Sequence, residues 1–306
     1  MRRWSSLPAE TVVSAAFKNE NKQKITYIGV TVLKQRIISA LVALVLLFVV
    51  LNFFETIVLN VAVSIVALIG VHEFFNATKI NENKLFAVIG YAVAAVIPFI
   101  PREGIDLLPV LVLPYVGVLF CILLGSYKNT RVEHMSMAFM MSLAIPLALS
   151  SAVYFRDTYG SIVGLFYLSL SLGGAWFSDT GAYFVGCGIG KHKMSPVISP
   201  KKTWEGAVGG VLICTVCMLL LGKAFELCVA GFEVNYLTLA LLAPFASVTS
   251  IIGDLSASLV KRQYGIKDFG NIMPGHGGVL DRFDSVLFVM PLIWGVVQNF
   301  PIATLG

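Results

Sequence analysis

From residue 37 onward the chain is a succession of apolar runs, each near the length that crosses a bilayer, separated by short polar stretches. The runs cover 37–53, 56–75, 85–100, 106–125, 135–154, 161–180, 206–221, 236–253 and 283–300. A membrane-spanning helix needs about 20 mostly apolar residues. Charged residues make up 13% of the 306, and hydrophobic ones 57%; soluble domains carry about 25% charge. With a mean hydropathy of +0.85, a water-soluble fold of this length has too little polar residue to coat its surface. The expectation is an all-α, polytopic integral membrane protein with about nine transmembrane helices. Pro114 and Pro146 interrupt two of the runs, which membrane helices tolerate where neighbours re-satisfy the backbone. No internal repeat is evident, and this weighs against many transporter folds.

Residues 1–35 are polar and basic, with no signal-peptide cleavage pattern behind them. They read as a cytosolic extension ahead of an N-terminal helical region, 36–160, and a C-terminal region, 161–306, that holds the chemistry. The five cysteines form no disulfide framework, and Cys214 and Cys217 lie inside an apolar run as ordinary small residues. Basic residues fix the orientation. With the N-terminus in the cytosol and nine crossings, all but Arg102, Arg156 and Lys223 of the 22 Lys and Arg fall on the cytosolic side, as the positive-inside rule requires. The C-terminus is then outside. Asp179 ends the sixth run, Asp254 ends the eighth, and Asp281 and Asp284 open the ninth. By parity all four reach the cytosolic side, together with the polar loops 186–205 and 255–282.

Asp281 and Asp284 are three apart, so they share a helix face at an N-terminal turn that favours negative charge. Carboxylates grouped in this way are hard oxygen ligands suited to Mg²⁺. Asp254 follows Gly253 at the end of an apolar run, where a charge costs about 2.5–3.5 kcal/mol on insertion scales unless a cation offsets it. The bland alternative is a set of interfacial acids paired with Arg282 or Lys261. The run Pro274-Gly275-His276-Gly277-Gly278 is an amide-rich turn able to approach an anion closely. In it His276 suits phosphate positioning better than proton transfer. Lys261, Arg262, Lys267 and Arg282 add positive charge, the main requirement of phosphoryl-type transfer. A second polar block, Ile198-Ser199-Pro200-Lys201-Lys202-Thr203-Trp204-Glu205-Gly206, follows a Gly-rich stretch at 186–193. It is no Walker A loop, because Gly186 and Gly190 are too close and His192 stands where Ser or Thr is needed. His72-Glu73 starts like a zinc-protease motif, but Asn76 ends that reading. The pair is best read as interfacial packing, with Glu73 within reach of the same cavity from the second helix.

The stretch Ser258 to Asp284, S-L-V-K-R-Q-Y-G-I-K-D-F-G-N-I-M-P-G-H-G-G-V-L-D-R-F-D, resembles the signature of phosphatidate cytidylyltransferases, also called CDP-diacylglycerol synthases. The blocks S-D-T-G-A-Y at 178–183 and S-P-K-K-T-W-E-G at 199–206 resemble others of that family, in the expected order. The resemblance implies that CTP and phosphatidic acid are converted to CDP-diacylglycerol and pyrophosphate on the cytosolic side of a bacterial-type inner membrane. It implies metal binding by Asp254, Asp281 and Asp284, with Mg²⁺ and a second cation such as K⁺. Catalytic contributions would come from these acids with Lys261, Arg262 and His276. Substrate would be held by Ser199, Lys201, Lys202, Asp179, Lys267, Arg282, Gly277 and Gly278. A homodimer is implied, and nucleic acid is not an expected partner. The family usually has an acid where this chain has Ala257, a place that Glu205 is near enough in kind to fill. Two other readings stay open at this level. One is a CTP-dependent polyprenol or phytol kinase, and the other is an ion-coupled transporter with acids along its path.

Overall fold

A computed structural model describes residues 35–102, 104, 108–128, 130–275 and 277–306. The basic extension 1–34 and His276 lie outside the described residues. The elements are α1 (Gln35–Asn52), α2 (Ile57–Ala77), α3 (Lys84–Val96), α4 (Leu108–Gly125), α5 (Val132–Ile189), α6 (Trp204–Cys228), α7 (Tyr236–Gln263), α8 (Leu280–Phe283) and α9 (Val286–Val297). Two short antiparallel ribbons accompany them. Strands β1 (Lys193–Ser195) and β2 (Ser199–Thr203) pair with Lys193 opposite Thr203; β3 (Phe232–Val234) and β4 (Ala303–Leu305) pair with Phe232 opposite Leu305. The expected all-α architecture is therefore present, with the ribbons as additions that no apolar run announced.

Local chemistry starts the helices where the polar residues fall. Thr56, Asn83, Thr203 and Asn235 each accept a backbone N–H of the first turn that follows them, satisfying donors that a helix cannot satisfy itself. Helices α1, α2, α5, α6 and α7 are long and apolar enough to cross a membrane. At 58 residues α5 would be about 87 Å long if straight, far beyond one crossing. It is broken at Gly160, whose φ of 74° and ψ of −175° are open only to glycine. The two separate runs expected at 135–154 and 161–180 are thus two arms of one element joined by a single residue. The arms fold onto each other. Tyr159 and Tyr167 meet edge to face with centroids 5.0 Å apart, and Phe155 lies 5.7 Å from Tyr167. The remaining apolar helices are shorter, at Lys84–Phe99, Pro109–Gly125 and Val286–Val297.

The core is built around α5. Phe155, Phe166, Tyr167 and Leu170 are fully buried among Met218 of α6, Leu239 of α7 and Ile293 of α9. Small residues bring α6 against the second arm of α5. A Cβ on Gly206 would sit 2.7 Å from the Ala182 carbonyl oxygen, and one on Gly210 would sit 2.8 Å from that of Ser178. This is the close backbone approach by which helices associate without a hydrophobic drive. Large apolar side chains such as Phe48, Leu113, Leu212 and Phe245 remain exposed around the outside, as suits a surface that meets hydrocarbon.

Two boundaries differ from the sequence reading. Helix α7 does not stop at the apolar limit but continues through Lys261 and Arg262 to Gln263, so the first third of the expected loop 255–282 is helical. Basic residues at a helix C-terminus are favoured by the dipole, and nothing in 255–263 breaks a helix. Likewise α5 runs to Ile189 before the ribbon begins, so only part of 186–205 is loop.

Candidate active site

Polar residues near the end of α2, within the last third of α5 and of α7, just before α6 and around α8 meet in one place and bond to one another. Asp281 lies at its centre. Its Oδ1 accepts from Lys261 Nζ at 2.8 Å, and its Oδ2 accepts from the backbone N–H groups of Phe269 at 2.8 Å and Gly278 at 3.0 Å. Lys261 also stands 3.9 Å from Asp284 Oδ2 and lies over the Phe269 ring. The side chains of Lys261 and Asp281 are only 9% and 3% exposed. A buried pair like this is strongly destabilised when one member is removed.

On the neighbouring side Lys202 Nζ pairs with Asp254 Oδ2 at 2.5 Å. Asp254 is within Coulombic reach of both Asp179 and Asp284. Ser285 links these elements, since its Oγ donates to Asp179 at 3.3 Å and its N–H donates to Asp284 Oδ1 at 2.8 Å. The strand β2 explains why one lysine of the pair takes part. Successive side chains of a strand point to opposite faces, so Lys202 faces Asp254 while Lys201 is exposed. Thr203 then caps α6, with Oγ1 accepting from Gly206 N–H at 3.1 Å.

The fourth approach comes from α2. Glu73, 3% exposed, accepts from the N–H groups of Val279 at 3.0 Å and Leu280 at 2.8 Å, across more than 200 residues of sequence. Sequence reasoning gave the His72-Glu73 pair to packing while leaving Glu73 within reach of the cavity from the second helix. The available signal was an acid beside the otherwise apolar end of a helix that faces the same side.

The remaining expected residues divide clearly. Lys201, Lys267, Arg282 and Arg262 are exposed, as a basic rim, and Ser199 is half-buried. Arg262 is engaged with backbone, donating from Nε to the Ile198 carbonyl at 3.3 Å and from Nη1 to that of Ile266 at 3.1 Å. It therefore ties the β1–β2 ribbon to the segment after α7. Gly277 adopts a φ of +87° and bridges to Met273, while His276, expected to position phosphate, lies outside the described residues. Glu205 does not supply the acid absent at Ala257. Both its carboxylate oxygens accept from His192 N–H at 3.2 Å, and Oε1 lies 2.6 Å from His192 Nδ1, which fastens the ribbon to α6. Ala257, one turn beyond Asp254, packs against apolar neighbours.

The donor set suits a hard divalent cation. Asp179, Asp254, Asp281, Asp284 and Glu73 outnumber the lysines that face them, and a nucleotide-bound Mg²⁺ typically takes one or two carboxylates, with phosphates and water completing its shell. Among the described residues no group of three or more His, Cys, Asp or Glu side chains is gathered as a metal cage. Asp281 is bonded at both oxygens, Asp254 is bonded at one by Lys202 and at the other by Ser258, and Asp284 accepts from Ser285 N–H with Lys261 3.9 Å from its other oxygen, so a cation would exchange with existing bonds at each of them.

With this geometry established, comparisons with known proteins bear on the chemistry. The model of the cytidylyltransferase family matches residues 34–300. A phosphatidate cytidylyltransferase of Staphylococcus haemolyticus (strain JCSC1435) is 36% identical over 266 residues, covering 85% of this chain and 97% of that protein. One from Staphylococcus aureus (strain COL) is 33% identical over 267 residues, with the same coverage. The phosphatidate cytidylyltransferase of Bacillus subtilis (strain 168) is 47% identical over 144 residues, 47% of this chain and 50% of that protein.

Proposed function

The chain belongs to the cytidylyltransferase family, and we infer that its reaction takes place at the acid and lysine cluster between α7 and α8. It is a nucleotidyltransferase that makes CDP-diacylglycerol from CTP and phosphatidate. A phosphatidate oxygen attacks the α-phosphorus of CTP, the bond from that phosphorus to the bridging oxygen breaks, and pyrophosphate leaves. The attacking oxygen is already anionic, so the step calls for little proton transfer and much charge management.

The observation that carries the site assignment is the pairing of Lys261 with Asp281 and Asp284, and of Lys202 with Asp254, beneath the exposed rim of Lys201, Arg262, Lys267 and Arg282. The rim draws the triphosphate and the lipid phosphate in. The paired lysines hold the acids in register and present positive charge where charge develops. Asp254 and Asp284 would hold a divalent cation such as Mg²⁺, Asp254 by exchanging its bond to Lys202, and Asp281 would join them by exchanging its bond to Lys261. When bound, such a cation neutralises phosphate oxygens and favours departure of pyrophosphate. Gly277 and Gly278 keep the following backbone close enough to meet a phosphate.

The site is proposed to face the cytosol, with nine crossings, the N-terminus inside and the C-terminus outside. The asymmetry of basic residues supports this. The acids gather in one cluster rather than being strung along the helices, which favours chemistry at one place over an ion path, although Asp179 and Asp254 reach it from ten and nine residues before the ends of α5 and α7. Substituting Asp284→Asn in the purified full-length protein is expected to abolish most turnover with Mg²⁺ supplied, while membrane insertion is kept. Near-normal turnover would remove the reaction from this cluster.

A further inference from the structure

We propose that Glu73 is a positioning residue for cytidylyl transfer, its carboxylate pinning the glycine loop and the first turn of α8 so that Asp281 and Asp284 are held in place. The inference rests on the placement of the reaction at this cluster. Three observations carry it. First, both carboxylate oxygens are committed to backbone, one to Val279 N–H and the other to Leu280 N–H. Second, the carboxylate lies directly against two glycines of the loop, and a side chain at either would have to displace it. A Cβ at Gly270 would fall 2.2 Å from Glu73 Oε1, and one at Gly278 would fall 2.4 Å from Oε2, distances no real Cβ sustains. Third, the same segment is grasped from its other side by Asp281, which takes the N–H groups of Phe269 and Gly278. Phe269, Gly278, Val279 and Leu280 are thus held between the carboxylate of Asp281, just beyond them, and that of Glu73 from α2.

The physical logic follows from burial. An ionised carboxylate is costly to remove from water unless fully hydrogen-bonded, and bonds to a charged acceptor are about twice as strong as neutral ones. Among the described residues the hydrogen bonds of Glu73 go to the backbone that carries the acids and not to Lys202 or Lys261. Its carboxylate also lies within Coulombic reach of Asp281, so exchange of the loop and turnover are read together to separate anchoring from direct charge.

The experiment uses full-length protein in detergent or nanodiscs, with Glu73→Ala, Glu73→Gln and Asp284→Asn. Two quantities are read: kcat/KM for CTP with phosphatidate, and hydrogen–deuterium exchange of the peptides covering 268–284. Glu73→Ala is expected to speed exchange in that segment and to lower kcat/KM by about 10- to 100-fold. Glu73→Gln keeps one carbonyl acceptor and should fall between it and the parent in both readouts. If Glu73→Ala does not fold, Glu73→Gln carries the same comparison. Loss of turnover with unchanged exchange would overturn the proposal in favour of direct participation, and faster exchange with unchanged turnover would overturn it in favour of a purely structural anchor. Asp284→Asn should lose turnover without loosening the segment. Should Asp284→Asn stay active while Glu73→Ala loosens the loop and slows the reaction, the anchor stands and the site assignment falls.

Discussion

Lys201 and Lys202 are adjacent in sequence and opposite in situation. Lys202 neutralises Asp254, whereas Lys201 is exposed. Replacing Lys202 by Ala is expected to lower kcat/KM by roughly 10- to 100-fold, the cost of a lost bond to a charged group. Lys201→Ala should change folding stability by no more than about 0.5 kcal/mol and reduce the rate less. Initial rates with each substrate varied separately measure the difference, and equal losses in both variants would dissolve the distinction. Lys261→Met should cost more, about 3–5 kcal/mol of stability, because Asp281 is left buried without its cation. Most of these residues were legible in the sequence, since acids and lysines beside apolar runs are expensive without a purpose. Their pairings were not. Lys202 and Asp254, or Glu73 and Leu280, are separated by a helix or more, and no spacing rule connects them. Strand alternation split the lysine pair, and a polar loop gives no warning of a strand. Arg262, expected as added positive charge, also bonds two carbonyl groups.

Helices were legible as elements because each apolar run must become one in a bilayer. Their joints were harder. The break in α5 is a single glycine, and a helix that outlasts its apolar run, as α7 does, ends by local bonding rather than by hydropathy. Pro200 in β2 looked like a loop residue, yet proline is tolerated on an edge strand. Packing between elements depends on the small residues of α6. Gly210→Ala would press a methyl group to 2.8 Å from the Ser178 carbonyl, forcing the helices apart at a cost of about 1–3 kcal/mol. A Cβ at Gly117 of α4 meets nothing within 4 Å, so Gly117→Ala should leave stability unchanged or raise it. Thermal unfolding of the two variants in the same detergent distinguishes them. Equal midpoints would mean that α5 and α6 are not held by close backbone approach.

For the whole molecule, topology decides which compartment supplies the nucleotide. A reporter inserted at residue 195 is expected in the cytosol, and one fused after Gly306 is expected outside it. A cytosolic C-terminal reporter would require a different number of crossings. The central claim, that the cluster around Asp284 transfers the cytidylyl group itself, is tested most directly by following each phosphate of CTP. Purified protein, Mg²⁺ and phosphatidate are incubated with CTP labelled at the α-phosphate and, separately, at the γ-phosphate, for the parent and for Asp284→Asn. The account predicts that the parent delivers the α label to lipid and the γ label to pyrophosphate, and that Asp284→Asn delivers neither. A γ label found in lipid, or undiminished α-label transfer by Asp284→Asn, would contradict it.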